Sequence, residues 1–206
     1  MNDKIYALAG WSSCLLFWAA YILMSTIRPD YYHKYKAVSE LGSVDAPNAI
    51  LWNIIGFVCV GALISLFSVG LHKSISISSK GRIAFYLLFG SGLFWVFAGI
   101  FPGDFENKTS LTMILHAIGS LGSGLLFVLS VFTYIPAMRV SPYWRSSVVP
   151  SISIVVMFIL SGFLRSGVAP ALGQKIGFLI FFIWISFMAY KLYKSPVNKA
   201  MHPTGG

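Results

Sequence analysis

The chain has 206 residues, 57% of them hydrophobic and only 10% charged, a mean hydropathy of +0.77 and a formal net charge of +9. Soluble domains carry about 25% charged residues, so this composition argues against a water-soluble fold. The basic residues are scattered among short loops, which argues against nucleic acid as a partner.

Crossing about 30 Å of hydrocarbon takes roughly 20 apolar residues in a helix. Six runs qualify, at Ile5–Ile27, Ala49–Leu71, Ile83–Ile100, Leu111–Ile135, Val148–Leu164 and Ile176–Leu192. They are continuously apolar, unlike the alternating strands of a membrane barrel. The predicted fold class is therefore all-α: a single six-helix transmembrane domain over residues 1–194, followed by a polar, disordered tail at 195–206.

The first run is too long for a signal-peptide core and lacks a small-residue cleavage motif, so it reads as retained. After it comes the longest loop, Arg28–Asn48. Tyr31, Tyr35, Val38 and Leu41 recur there at i, i+4, i+7 and i+10, which predicts a short amphipathic helix lying in the interface and carrying Glu40. Ser43 or Asp45 is placed to cap the second helix, and Asn53 lies about one turn into it. Cys14 and Cys59 both fall inside spans and read as buried small hydrophobes rather than a disulfide. His72–Arg82 is a basic, serine-rich linker expected to be mobile. The Pro102–Ser110 turn holds Asp104, and Thr109 or Ser110 can cap the fourth helix. The turn also contains Asn107-Lys108-Thr109, a glycosylation acceptor pattern that matters only in a eukaryotic secretory pathway. His116 follows about one and a half turns into the fourth helix, on one face with Ser120 and Ser123. Gly119, Ser120, Gly122, Ser123 and Gly124 read as a helix-packing seam, with a hinge as the alternative. Pro136 and Pro142 are expected to end that helix. Gly167–Gly173 forms the last turn, flanked by Arg165 and Gln174.

With both termini placed in the cytoplasm, nine Lys/Arg fall inside and six outside, a positive-inside bias. Five of the six acids fall outside with the longest loop. Tyr143 and Trp144 at one face, and Tyr31, Tyr32 and Tyr35 at the other, suit interfacial aromatic belts. The lipid bilayer is the expected environment, in the cytoplasmic membrane if the source is bacterial.

Six polar residues come to one level near the outer surface: Glu40, Asn53, Asp104, His116, Arg165 and Gln174. Charge is expensive in hydrocarbon, so such groups face the bundle interior and find partners. Each has a structural reading beside the functional one. His116 is either a neutral ring hydrogen-bonded within the bundle or a base, proton carrier or ligand. Glu40 and Asp104 are solvated, paired with Arg165 or Lys36, or part of a site. Arg165 is a snorkelling side chain or an anchor, and Asn53 bonds between helices or binds a ligand. No metal site is expected: His33, His116, Glu40 and Asp104 are the only conceivable set, and no ligand pair occurs at helical spacing. No cofactor is expected either, because no phosphate-binding glycine loop, nucleophile elbow or redox cysteine pair is present. Three functions follow: an outward-facing pocket that binds, or binds and moves, a small molecule or lipid head group; an intramembrane lipid hydrolase or transferase using His116 with Glu40 or Asp104; or a structural, partner-binding subunit.

The same residues carry a resemblance. Ser39-Glu40-Leu41-Gly42, Ala46-Pro47-Asn48, Phe101-Pro102-Gly103-Asp104 and His116, in that order, resemble the domain-of-unknown-function family 998. Gly173-Gln174-Lys175 is similar to that family's closing motif, where an arginine more often follows; Lys175 keeps the charge without the bidentate fork. The resemblance spans most of residues 1–192. It implies a six-helix integral membrane protein of prokaryotic type and no particular activity. It points to Glu40, Asp104, His116 and Gln174 as residues that work together.

Overall fold

Hydrocarbon offers no hydrogen-bond partners, so each apolar run must satisfy its backbone internally. The computed structural model, which describes residues 3–75, 79–167 and 169–196, shows each run as a helix. These are α1 (Asp3–Ile27), α2 (Ala49–Ile75), α3 (Ser79–Ile100), α4 (Leu111–Val140), α5 (Val148–Ser166) and α6 (Pro170–Tyr193). All six are long and apolar enough to cross a membrane. No strand occurs among the described residues.

Several ends differ from expectation. Helix α6 starts at Pro170, six residues before the apolar run, because proline suits the first helical turn, where its missing N–H costs nothing. Helix α4 continues through Pro136 to Val140 instead of ending there. Ser110 caps α4, accepting from the Met113 N–H at 3.3 Å. At α2 the N-cap is Asn48 with no side-chain cap bond, so neither Ser43 nor Asp45 serves. Within α2, residues Asn53–Cys59 form a π-helical stretch. Its Gly56 carbonyl accepts the Trp95 indole N–H at 3.0 Å. Of the expected mobile linker, residues 76–78 lie outside the described residues, as do 197–206 of the expected tail. Ser195, the tail's first residue, is buried with its hydroxyl 3.0 Å from that of Ser74.

The core is aromatic. Phe17 of α1 lies 4.7–5.8 Å, centroid to centroid, from Trp52, Trp95, Phe178 and Phe182. Tryptophan and serine hydrogen bonds tie the helices together: Trp184 Nε1 to Ser151 Oγ (3.0 Å) joins α5 and α6, and Ser130 Oγ to the Ala84 carbonyl (2.9 Å) joins α3 and α4. The small residues of α4 divide their work. A Cβ on Gly119 would lie 2.7 Å from the Ala98 nitrogen, and Ser123 bonds Ser91, so these two form the seam with α3. Ser120 and Gly124 face a gap on the other side.

Two surface expectations are corrected. Cys14 is buried but Cys59 is exposed on the bundle surface. Trp144 is buried, donating to the Ser74 carbonyl at 3.1 Å, because the short helical turn Trp144–Ser147 tucks it under the bundle end.

Candidate functional site

The 28–48 loop, the 101–110 turn and the α5–α6 turn lie at one end of the bundle, here the capped end. The amphipathic helix expected in the first of these is not formed. Residues 31–37 make turns, and only Val38–Gly42 is helical, as one 3-10 turn. Tyr31, Val38 and Leu41 do turn inward together, but Tyr35 is exposed. Local spacing could not reveal the reason, which is that distant side chains hold this backbone. Gln174 of α6 is buried; its Oε1 accepts from the Val38 N–H at 2.7 Å and its Nε2 donates to Ser39 Oγ at 3.2 Å. Lys175 donates to the carbonyls of His33 (2.9 Å), Lys36 (2.5 Å) and Ala171 (3.5 Å), with its Nζ 5.6 Å from the Tyr31 ring centre. A three-donor ammonium serves three separate carbonyls, which a planar guanidinium does less readily.

Charged groups on the loop complete the cap. Arg28 grips Asp30 through Nε (2.9 Å) and Nη2 (3.0 Å) and donates to the Glu40 carbonyl through Nη1 at 2.6 Å. Lys36 reaches Asp30 at 2.9 Å, so its partner is Asp30 rather than Glu40. Hydrogen bonds from Arg28 and then Lys36 hold the Asp30 carboxyl well below the usual carboxylate range. Burial, reinforced by Tyr21, pushes the Tyr31 phenol far above its ordinary pKa, so it stays a neutral donor to the Ala37 carbonyl at 3.0 Å.

The six predicted site residues separate into two groups. Glu40 caps its own turn, accepting from the Ala37 N–H at 2.7 Å. Asp104 accepts from the Asn107 N–H at 2.8 Å within the 101–110 turn. Asn53 donates to the Gly42 carbonyl at 2.9 Å, bonding to the cap rather than between helices, and its Oδ1 is buried without a partner. These three line neither of the cavities described next, and neither Glu40 nor Asp104 hydrogen-bonds His116 or Arg165. His116, Arg165 and Gln174, in contrast, come together around one space.

That space exists because α4 and α5, though consecutive, are the most loosely packed sequential pair. A groove of about 470 Å³ opens between α4, α5 and α6, walled by Trp95, Leu125, Phe158, Phe178 and Phe181. Gly162 faces it with open space; a Cβ there would meet nothing within 4 Å. At the capped end the groove adjoins a chamber of about 180 Å³ lined by His116, Ser39 and Phe105 among others. Ser120, Leu121, Arg165 and Gln174 line both. The groove is within the usual range for a small-molecule site, about 300–1,000 Å³; the chamber suits only a head group.

The polar groups here are few. His116 is buried, its Nδ1 2.8 Å from the Ala98 carbonyl and 3.0 Å from that of Phe101. Arg165 is half-buried and makes no hydrogen bond or ion pair among the described residues. No Asp or Glu lines either cavity. Ser161 belongs to this lining and is not singled out by the sequence, and Ser39, which also belongs to it, enters there only as the first residue of a family motif. The glycine pair four residues apart, Gly173 and Gly177, was the available signal, although such pairs ordinarily mark a packing seam. Both glycines line the groove and both pack: a Cβ on Gly173 would meet the Arg165 backbone, and one on Gly177 would come within 3.0 Å of Ser161 Oγ.

Six apolar helices closed by a hydrogen-bonded cap define a multi-pass membrane protein. The chain belongs to the family described as protein of unknown function (DUF998), which it matches over residues 13–191. Comparison with curated proteins and with solved structures finds no match.

Proposed function

We propose that this protein binds a membrane lipid with an acidic head group, the acyl chain lying in the α4–α5–α6 groove and the head at Arg165, with the capped end facing outward. The observation that carries this reading is Arg165. Arg165 lines both the groove and the chamber that holds His116 and Ser39, and among the described residues no acid or carbonyl pairs with it. An unpaired charge at a span end calls for a counter-ion, and the arginine fork matches carboxylate or phosphate oxygens. Each methylene drawn into the groove adds about 0.8 kcal/mol relative to water. Relative to bilayer hydrocarbon that gain largely vanishes, so the head group decides selectivity.

Gln174, Glu40, Asp104 and Asn53 support this site indirectly by holding the cap over the chamber. The lipid-hydrolase alternative lacks support in the geometry, because His116 has two carbonyls where an orienting carboxylate would sit.

Native mass spectrometry of the detergent-purified protein tests the reading. The wild type is expected to carry a co-purifying acidic lipid, and Arg165→Gln to lose it while keeping its melting temperature. Equal lipid occupancy in the two proteins would refute it.

A further inference from the structure

The chamber beside Arg165 offers an unusual set of partners. Both neighbours of His116 Nδ1 are carbonyl acceptors, so Nδ1 carries the ring proton. Nε2, on the ring edge turned away from those carbonyls, is then a lone-pair acceptor, and it makes no hydrogen bond among the described residues. Ser39 Oγ accepts from Gln174 Nε2, leaving its own O–H free to donate. The chamber lining therefore combines the cationic Arg165, the Ser39 hydroxyl and His116 with its acceptor nitrogen, with no carboxylate, while the Ser120 hydroxyl already donates to the Ala117 carbonyl at 3.4 Å.

Each common head group can be set against that inventory. A fatty-acid carboxylate accepts only, and would turn a lone pair toward Nε2. Choline and ethanolamine heads bring a cation into a chamber that already holds one and lacks an acid. A phosphate carrying a hydroxyl satisfies both sides: its anionic oxygens receive the Arg165 fork while its hydroxyl donates to His116 Nε2. We infer that the head group bound is an acidic phosphate that also presents a hydroxyl on its esterifying alcohol, and that His116 is the residue that selects it. This rests on the lipid-binding reading above.

The test uses a charge-matched lipid pair. The full-length protein is placed in phosphatidylcholine nanodiscs containing equal amounts of phosphatidylglycerol and phosphatidylmethanol with the same acyl chains. Each lipid carries one negative charge, and only the first has head-group hydroxyls. Lipid retained on release is counted by native mass spectrometry. The wild type is expected to hold phosphatidylglycerol about 5-fold over phosphatidylmethanol, the worth of one neutral hydrogen bond. His116→Asn, whose amide can still donate to the Ala98 and Phe101 carbonyls, is expected to bring the ratio to about 1 by lowering retained phosphatidylglycerol, with phosphatidylmethanol still enriched over phosphatidylcholine. Equal retention by the wild type overturns the hydroxyl requirement, and a preference that persists in His116→Asn overturns the assignment of it to His116; either outcome leaves the lipid reading standing. If the wild type enriches neither acidic lipid over phosphatidylcholine, the lipid reading itself falls. Should His116→Asn fail to fold, the wild-type ratio alone decides.

Discussion

Replacing Gln174 with leucine isolates what holds the cap. Leucine is close to glutamine in size, so no large cavity opens, but both hydrogen-bonding ends are lost. The Val38 N–H, on a residue with 0% exposure, loses its 2.7 Å acceptor, and Ser39 Oγ loses a 3.2 Å donor. Leaving a buried donor unpaired costs about 1–3 kcal/mol and a neutral side-chain bond contributes about 1 kcal/mol, giving about 2–4 kcal/mol in all. Residues 38–42 touch α6 only through a small patch, so the cost falls on local opening of the cap before global unfolding. Hydrogen exchange read by mass spectrometry over residues 36–44 should then accelerate roughly 30-fold to several-hundred-fold. Peptides from α3 and α4 should be unchanged. Exchange within about 2-fold of the wild type at Val38–Leu41 would refute the assignment of Gln174 as the cap's anchor.

Three further outcomes are expected. Because the Asp30 carboxyl is held below its unfolded value of about 3.9, the Arg28–Asp30–Lys36 clamp contributes stability that is complete above that value and fades as pH falls through the lowered one. Protease cleavage in the 28–48 loop should be flat from pH 7 to 5 and rise in stronger acid, read with an acid-active protease, and Asp30→Asn should remove that dependence. Gly119→Ala forces a Cβ to 2.7 Å from the Ala98 nitrogen and should lower the melting temperature through overpacking of about 1–3 kcal/mol; Gly162→Phe has open space, should melt like the wild type, and should displace lipid from the groove. If the capped end faces outward, Tyr35→Cys on the exposed loop should react with a membrane-impermeant maleimide in intact cells, and protection there would reverse the orientation.

The six helices, and the end of the bundle at which each turn lies, were legible from sequence. Transfer into hydrocarbon is a local property of about 20 consecutive residues, which is why six helices, their connecting turns and the common level of His116, Arg165 and Gln174 follow from the apolar runs. Ser110 was likewise readable as a cap, because capping involves only the next three residues. What sequence could not supply is direction around each helix axis and the course of backbone held from afar. Glu40 and Asp104 share the level of His116, yet each is taken up by an N–H of its own turn, since a short polar side chain in a turn meets local N–H groups first; Asn53 of α2 instead donates to the Gly42 carbonyl in the cap. The 31–41 spacing suggested a helix; instead Val38 bonds Gln174, 136 residues away, and that contact exists only once α6 has packed. The loose fit of α4 against α5, which makes the groove that Arg165 lines, goes with the close pairing of α4 with α3 and of α5 with α6. Burial depth comes from the sum of neighbouring side chains along one strand of chain. Which of them meet across the bundle comes from packing among six helices at once, and only the tertiary structure decides that.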